Sequence, residues 1–239
     1  MSNGYTHGRV DCRLCFTGDE PILILNDWRL HNNPGYYGSS TPKFLVLGFS
    51  KGATQDKVAE QGDFDRIAFA GFRSRLQTVL ETLDIMPENR GVDELLTAHE
   101  KDFGFASLIR CSLCKIKGDS CITSGNIINS SFKDNLSYPI INRCAMTYLA
   151  RLPESIHLVI LLGTNDSYID QTRQLFQKIY LDFRSINPVA FRAGGSVWIY
   201  AAHPSPANGH LSNWVNADES NSSGYKRLLA LQAIQSARS

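Results

Sequence analysis

The chain has 239 residues, 43% hydrophobic and 20% charged, with 24 Lys and Arg against 23 Asp and Glu for a formal net charge of +1. That length and apolar content suit one globular domain, 1–239, with a full core, and argue against a second independent domain. The small net charge excludes a global polycation, but an enzyme of nucleic acid needs only a local positive groove, so composition leaves the partner open.

The first twelve residues lack the apolar core of a signal peptide, and no apolar run approaches the ~20 residues of a membrane-spanning helix. The expectation is a soluble, cytoplasmic monomer without a membrane partner. In chain order, apolar or β-branched runs at 44–47, 105–109, 158–162 and 197–200 predict buried parallel strands. Between them, apolar residues at 3.6 spacing predict helices over 67–83, 142–152 and 167–186, and 224–237 predicts an amphipathic closing helix. Alternating strands and helices imply an α/β fold, a three-layer α/β/α sandwich around a mostly parallel four-stranded sheet. Loops rich in Gly, Asn and Ser follow the strands at 48–52, 118–131, 163–166 and 203–213. Carboxyl ends of parallel strands are where such folds bind ligands, so the site is expected there.

Six cysteines include the pairs Cys12-x-x-Cys15 and Cys111-x-x-Cys114. In a reducing cytosol this clustering reads as metal ligation rather than disulfides. One such pair is weak evidence; the order sharpens it. Cys111 directly follows the strand that ends at Arg110, and Cys144 opens a helix leading to a strand that ends in Leu162-Gly163. Here the chain resembles the iron–sulfur, thermophile-type branch of the uracil-DNA glycosylase superfamily. That branch has an early Cys-x-x-Cys, a strand ending in Lys-Cys, a later cysteine starting a helix, and a strand ending in Leu-Gly. By that resemblance Cys12, Cys15, Cys111 and Cys144 hold a [4Fe-4S] cluster. The alternative is a zinc site of Cys111, Cys114 and Cys121 with one further ligand. Cys114 or Cys121 could also replace Cys111, or both could be ordinary buried thiols.

The most specific match is His203-Pro204-Ser205-Pro206 after the last strand, the superfamily's second signature. Breaking an N-glycosidic bond builds positive charge on the sugar and negative charge on the departing base. A histidine at the base oxygen would stabilise that leaving group, and His203 is the expected catalytic residue. Ser205 and nearby amides would hold phosphates beside an extruded nucleotide. In isolation the tetrapeptide is equally a capped turn after a strand.

The first signature aligns with Leu45-Val46-Leu47-Gly48-Phe49-Ser50-Lys51-Gly52. The branch has Gly-Glu-Ala-Pro-Gly there, with the acid positioning the attacking water; here Phe49 replaces the acid. Asp56 or Asp63 could substitute, with Asp56 preferred, though each is also an ordinary loop carboxylate. Ala68-Phe69-Ala70-Gly71-Phe72 resembles the Pro-Phe-x-Gly stretch whose aromatic stacks on the flipped base. Phe69 is the better match and Phe72 the second, against the plain alternative of a core aromatic opening a helix. Where the branch strand reads Asn-x-x-Lys-Cys, this chain has Ser107-Leu108-Ile109-Arg110-Cys111. Exchanging a two-sided amide for a short hydroxyl implies a roomier pocket that binds plain uracil less well.

The resemblance covers roughly residues 12–213 and implies a DNA-binding, monofunctional glycosylase that excises a modified or damaged pyrimidine. By analogy with superfamily members in phage defence, the base could be a glucosylated hydroxymethylcytosine; the role is repair or defence. The competing expectations are a non-catalytic iron–sulfur sensor of nucleic acid and, further off, an iron–sulfur electron carrier.

Overall fold

A computed structural model describes residues 4–52, 55–56, 62–123 and 125–238. Its strands and helices in chain order are β1 (Gly8–Arg9), β2 (Ile22–Leu25), β3 (Trp28–His31), β4 (Gly35–Gly38), β5 (Phe44–Gly48), α1 (Arg73–Thr82), α2 (Val92–Leu95), β6 (Phe103–Ser107), β7 (Ser112–Lys117), β8 (Ser120–Ile122), α3 (Asn126–Ser131) and α4 (Tyr138–Tyr148). The second half adds β9 (Leu158–Leu162), α5 (Asp166–Ile179), β10 (Arg184–Asn187), β11 (Ala190–Ala193), β12 (Ser196–Ala201), α6 (Leu211–Asn216) and α7 (Ser222–Arg238). The protein is α/β, with a large mixed sheet and flanking helices.

β9 and β12 are buried along their whole length because their runs of Leu, Ile, Val and aromatic residues leave no polar face for solvent. Parallel pairing joins β6 to β5, β5 to β9 and β9 to β12. The pairing is in register: Gly48 lies opposite Ser107, Leu47 opposite Leu161, and Leu162 opposite Ala201. Four carboxyl ends therefore finish along one rim, where the loops beginning at Gly48, Ser107, Gly163 and Ala202 start.

The sheet is wider than the expected four strands: its order is β1-β4-β6-β5-β9-β12-β11-β10, eight strands, antiparallel at both margins. The added strands are two to four residues long and include Gly-Tyr-Tyr-Gly and the polar Arg-Ser-Ile-Asn, which carry no apolar run to reveal them. A second, antiparallel sheet of order β2-β3-β7-β8 was not expected either. β2 and β3 form a hairpin across Asn26-Asp27, with Asn26 in the left-handed region at φ 53.

Helix limits shift for local reasons. The predicted 67–83 helix starts only at Arg73, because Phe69 (φ 54) and Gly71 (φ 85) cannot continue a right-handed helix. The predicted 142–152 helix runs from Tyr138 to Tyr148, with Pro139 in its first turn, where a missing N–H costs nothing. The predicted 167–186 helix ends at Ile179, and 184–187 is strand β10. The expected loop 118–131 contains β8 and α3.

β4 is the short strand that serves both sites described below, since successive side chains point to opposite faces. Gly38 ends it at φ 88, where a Cβ would collide with the Phe103 carbonyl oxygen. Gly38→Ala should therefore destabilise the fold by about 1–3 kcal/mol, which for a domain of this size lowers the calorimetric melting temperature by several degrees. An unchanged transition would show that β4 yields without strain.

Candidate functional site: a deep cavity and a cysteine-lined pocket

The strand rim opens into a cavity of about 850 Å³. Gly48, Phe49, Ser50, Lys51, Gly52, Phe69, Ser107, His203 and Ser205, all expected from the sequence, line it. Strand register explains the meeting: Gly48 and Ser107 are opposite one another, and the backbone N–H groups of Leu108 and Ile109 donate to the carbonyls of Gly48 and Phe49, at 2.8 and 2.9 Å. The first-motif loop is thereby fixed to the segment leading to Cys111.

His203 sits half-buried in the wall. Its Nδ1 accepts the Ser205 backbone N–H at 3.1 Å, its carbonyl accepts from Asn208 Nδ2 at 2.8 Å, and Phe72 lies 5.9 Å from its ring centre. Burial pushes the imidazole down to about 4, so the ring is neutral at ordinary pH. With Nδ1 accepting, the single proton of the neutral ring must be on Nε2. The Arg75 guanidinium in α1 holds the loop, donating to the carbonyls of Pro204 at 2.8 Å and Ser205 at 3.2 Å. The loop is thus cross-braced from three directions around one histidine.

Phe69 is 6% exposed, rests edge-on against Phe105 and Phe72 at 6.0 and 5.9 Å, and keeps its left-handed backbone. Such backbone in a bulky residue is strained, and it persists where the surroundings over-determine it. Phe49 is not a solvent-facing substitute for a carboxylate: it is 5% exposed and packs near Phe132 and Tyr168 at 5.8 and 6.4 Å.

Asp56 needs correcting as a water-activating residue. It does not line the cavity, and its Oδ1 accepts from His31 Nδ1 at 2.8 Å, Asn33 Nδ2 at 2.6 Å and Ser112 Oγ at 3.1 Å. The carboxylate joins the motif loop to β3 and β7. Asp63, the second candidate, forms a surface ion pair with Arg66. Lys51 is buried with its ammonium donating to the Asn33 carbonyl; burial lowers it to about 8.

Sequence reading missed several wall residues. Tyr37 and Tyr168 line the cavity, are each 3% exposed, and have hydroxyls with no hydrogen-bond partner among the described residues. No motif announces them; only the fold brings them here. The lining also carries amides and hydroxyls from Thr123, Asn129, Thr164, Asn165, Asn213 and Asn221. Lys226 in α7 bonds the Thr164 carbonyl at 2.7 Å and Asp166 at 2.6 Å, which fixes one side of that wall.

Cys12, Cys15, Cys111 and Cys144 line a second, smaller and mostly apolar pocket, with Arg110, Arg143 and Tyr148 and no carboxylate among the residues around it. Burial pushes the Cys111 and Cys144 thiols up to about 12 and also raises Cys15. Among the described residues no three His, Cys, Asp or Glu side chains are placed to hold a single metal ion. The four cysteines line one pocket, and thiolates are the donors that an iron–sulfur cluster takes. Cys114 and Cys121 lie outside this pocket, on neighbouring strands β7 and β8 with their Cα atoms 5.5 Å apart, so they stand apart from the other four cysteines.

Neither protein-family models nor curated proteins give a match to this chain. No helix among the described residues is long and apolar enough to cross a membrane. The state of His203 is directly measurable: long-range ¹H–¹⁵N spectra at pH 7 should show a neutral, Nε2-protonated ring that titrates near pH 4. A midpoint at the ordinary ~6.5, or an Nδ1-protonated ring, would contradict the geometry.

Proposed function

We propose that this chain is a monofunctional DNA glycosylase of the uracil-DNA glycosylase superfamily, with that superfamily's three-layer α/β/α architecture. It hydrolyses the N-glycosidic bond of a flipped-out modified pyrimidine and leaves an abasic site. The observation that carries this reading is His203: a neutral imidazole whose tautomer is fixed by the Ser205 N–H, in the wall of a cavity shared with Ser107, Phe69 and the Gly48 loop.

The chemistry follows from charge. As the C1′–N bond breaks, its electron pair moves to the base, and a base oxygen gains negative charge. The Nε2–H of neutral His203 donates to that oxygen, and low local dielectric strengthens the bond as charge develops. Water then forms the C1′–O bond, and the proton it loses is balanced by the one the departing base anion takes up from solvent. Among the described residues no carboxylate of the first-motif loop lines the cavity, and His203 is the group placed to assist departure of the base. An oxocarbenium-like sugar asks little of the nucleophile. Phe69 supplies a ring for stacking, and Ser205 and the Gly48–Gly52 loop supply donors for flanking phosphates.

Cavity size supports a base larger than uracil. The half-open cavity of about 850 Å³ has room for the nucleotide's sugar and a substituted base, and Asn, Thr and Ser side chains in its lining offer partners to a hydroxylated substituent. A sugar-bearing hydroxymethylcytosine, as in phage DNA, has that chemistry. Cys12, Cys15, Cys111 and Cys144 are the residues that would hold a [4Fe-4S] cluster, which when bound ties the N-terminal segment to the middle of the chain. DNA is the partner, and a cytoplasmic setting fits such an enzyme.

The test is alkali cleavage at abasic sites in duplexes carrying single modified pyrimidines. Wild type should cut bulky-substituted bases faster than uracil, and Ser107→Asn should move preference back toward uracil. His203→Ala should bind the same DNA nearly as well yet release base about 100-fold or more slowly. Tight binding without cleavage by wild type on any base would instead favour a non-catalytic sensor, and unchanged excision by His203→Ala would remove the assigned chemistry.

A further inference from the structure

Arg110 is the most unusual charged group in the molecule. It is 1% exposed, and two of its guanidinium nitrogens, Nε and Nη2, have no hydrogen-bond partner among the described residues. The third, Nη1, reaches only the Gly35 carbonyl, at 3.5 Å. Three aromatic rings surround the cation, Tyr148, Tyr36 and Tyr5, with centroids 4.9, 5.4 and 5.6 Å away. Among the described residues no ion pair reaches it.

Aromatic faces soften the loss of water around a cation but do not replace an anion. A fully buried charge without a counter-charge is strongly destabilising unless something compensates it. The surroundings indicate what that is. Arg110 lines the four-cysteine pocket, and its backbone N–H donates to Cys144 Sγ at 3.3 Å. Arg143 lines the same pocket, and among the described residues no Asp or Glu does. Four neutral thiols would leave this positive charge uncompensated. Four thiolates around iron and sulfide are net negative in both oxidation states, and more so when reduced.

We propose that Arg110 is the internal counter-charge of an anionic iron–sulfur cluster held by Cys12, Cys15, Cys111 and Cys144, and that its buried charge both retains the cluster and raises its reduction potential. This rests on the cluster assigned above. A fixed cation stabilises the reduced, more negative state more than the oxidised one, so removing it lowers the potential. The tyrosine cage holds the guanidinium at the pocket, with Tyr5 Oη donating to the Tyr148 carbonyl at 2.5 Å to keep the cage closed.

The experiment compares full-length wild type, Arg110→Gln and Arg110→Lys, purified anaerobically. Iron and sulfide are quantified, and the cluster is titrated with dithionite under EPR. The expected result is full iron in wild type and Arg110→Lys, with Arg110→Gln either iron-poor or shifted to a lower potential than both. Equal potentials in all three overturn the proposal, as does equal loss of iron from the Lys and Gln variants, since then shape rather than charge would matter. Iron-free wild type overturns the cluster itself, an outcome separable from failure of Arg110 alone.

Discussion

The in-register parallel pairing of β6, β5, β9 and β12 is the constraint on which the site depends. Because Gly48 lies opposite Ser107, Leu47 opposite Leu161 and Leu162 opposite Ala201, four loops leave the sheet at one level. A slip by one residue would exchange the faces on which side chains pack and send those loops to different depths. The observed register sets the spacing between the Gly48 loop, Ser107 and His203.

Two sites share this frame. Tyr36 and Tyr37 are neighbours on β4, yet Tyr36 packs against the Arg110 guanidinium while Tyr37 lines the large cavity. Lys51 also stands between them: it lines the cavity and interacts electrostatically with Cys111. The Asn33 side chain bonds Ser112 and Asp56, and its carbonyl accepts from Lys51, which joins the second sheet to the same junction. The cysteine pocket and the candidate base cavity thus sit back to back, and disturbing one strand between them reaches both.

Much of this was legible in the sequence where chemistry and local pattern coincide. The four apolar runs became the strands at the centre of the large sheet, and the motif loops after them converge on one cavity. What stayed hidden depends on distant pairing. β4 and β10 carry no apolar run and exist because a buried neighbour needs a hydrogen-bonding partner. Asp56 looked like a free loop carboxylate, but His31, Asn33 and Ser112 claim it through a sheet the sequence did not reveal. Tyr37 and Tyr168 reach the cavity by tertiary placement alone. Cys114 and Cys121 resembled ligands by spacing, but the fold sets them on a hairpin away from the pocket that Cys12, Cys15, Cys111 and Cys144 line.

The central claim is that a neutral His203 at the rim assists release of an enlarged pyrimidine as a free base. Mass spectrometry of the small molecules released from duplexes carrying uracil, hydroxymethylcytosine and its glucosylated form tests it most directly. The account predicts a free, substituted base together with DNA one base lighter at an intact backbone. Release of a nucleoside or nucleotide, release of sugar with the pyrimidine left in place, or no release from any bound DNA would contradict it.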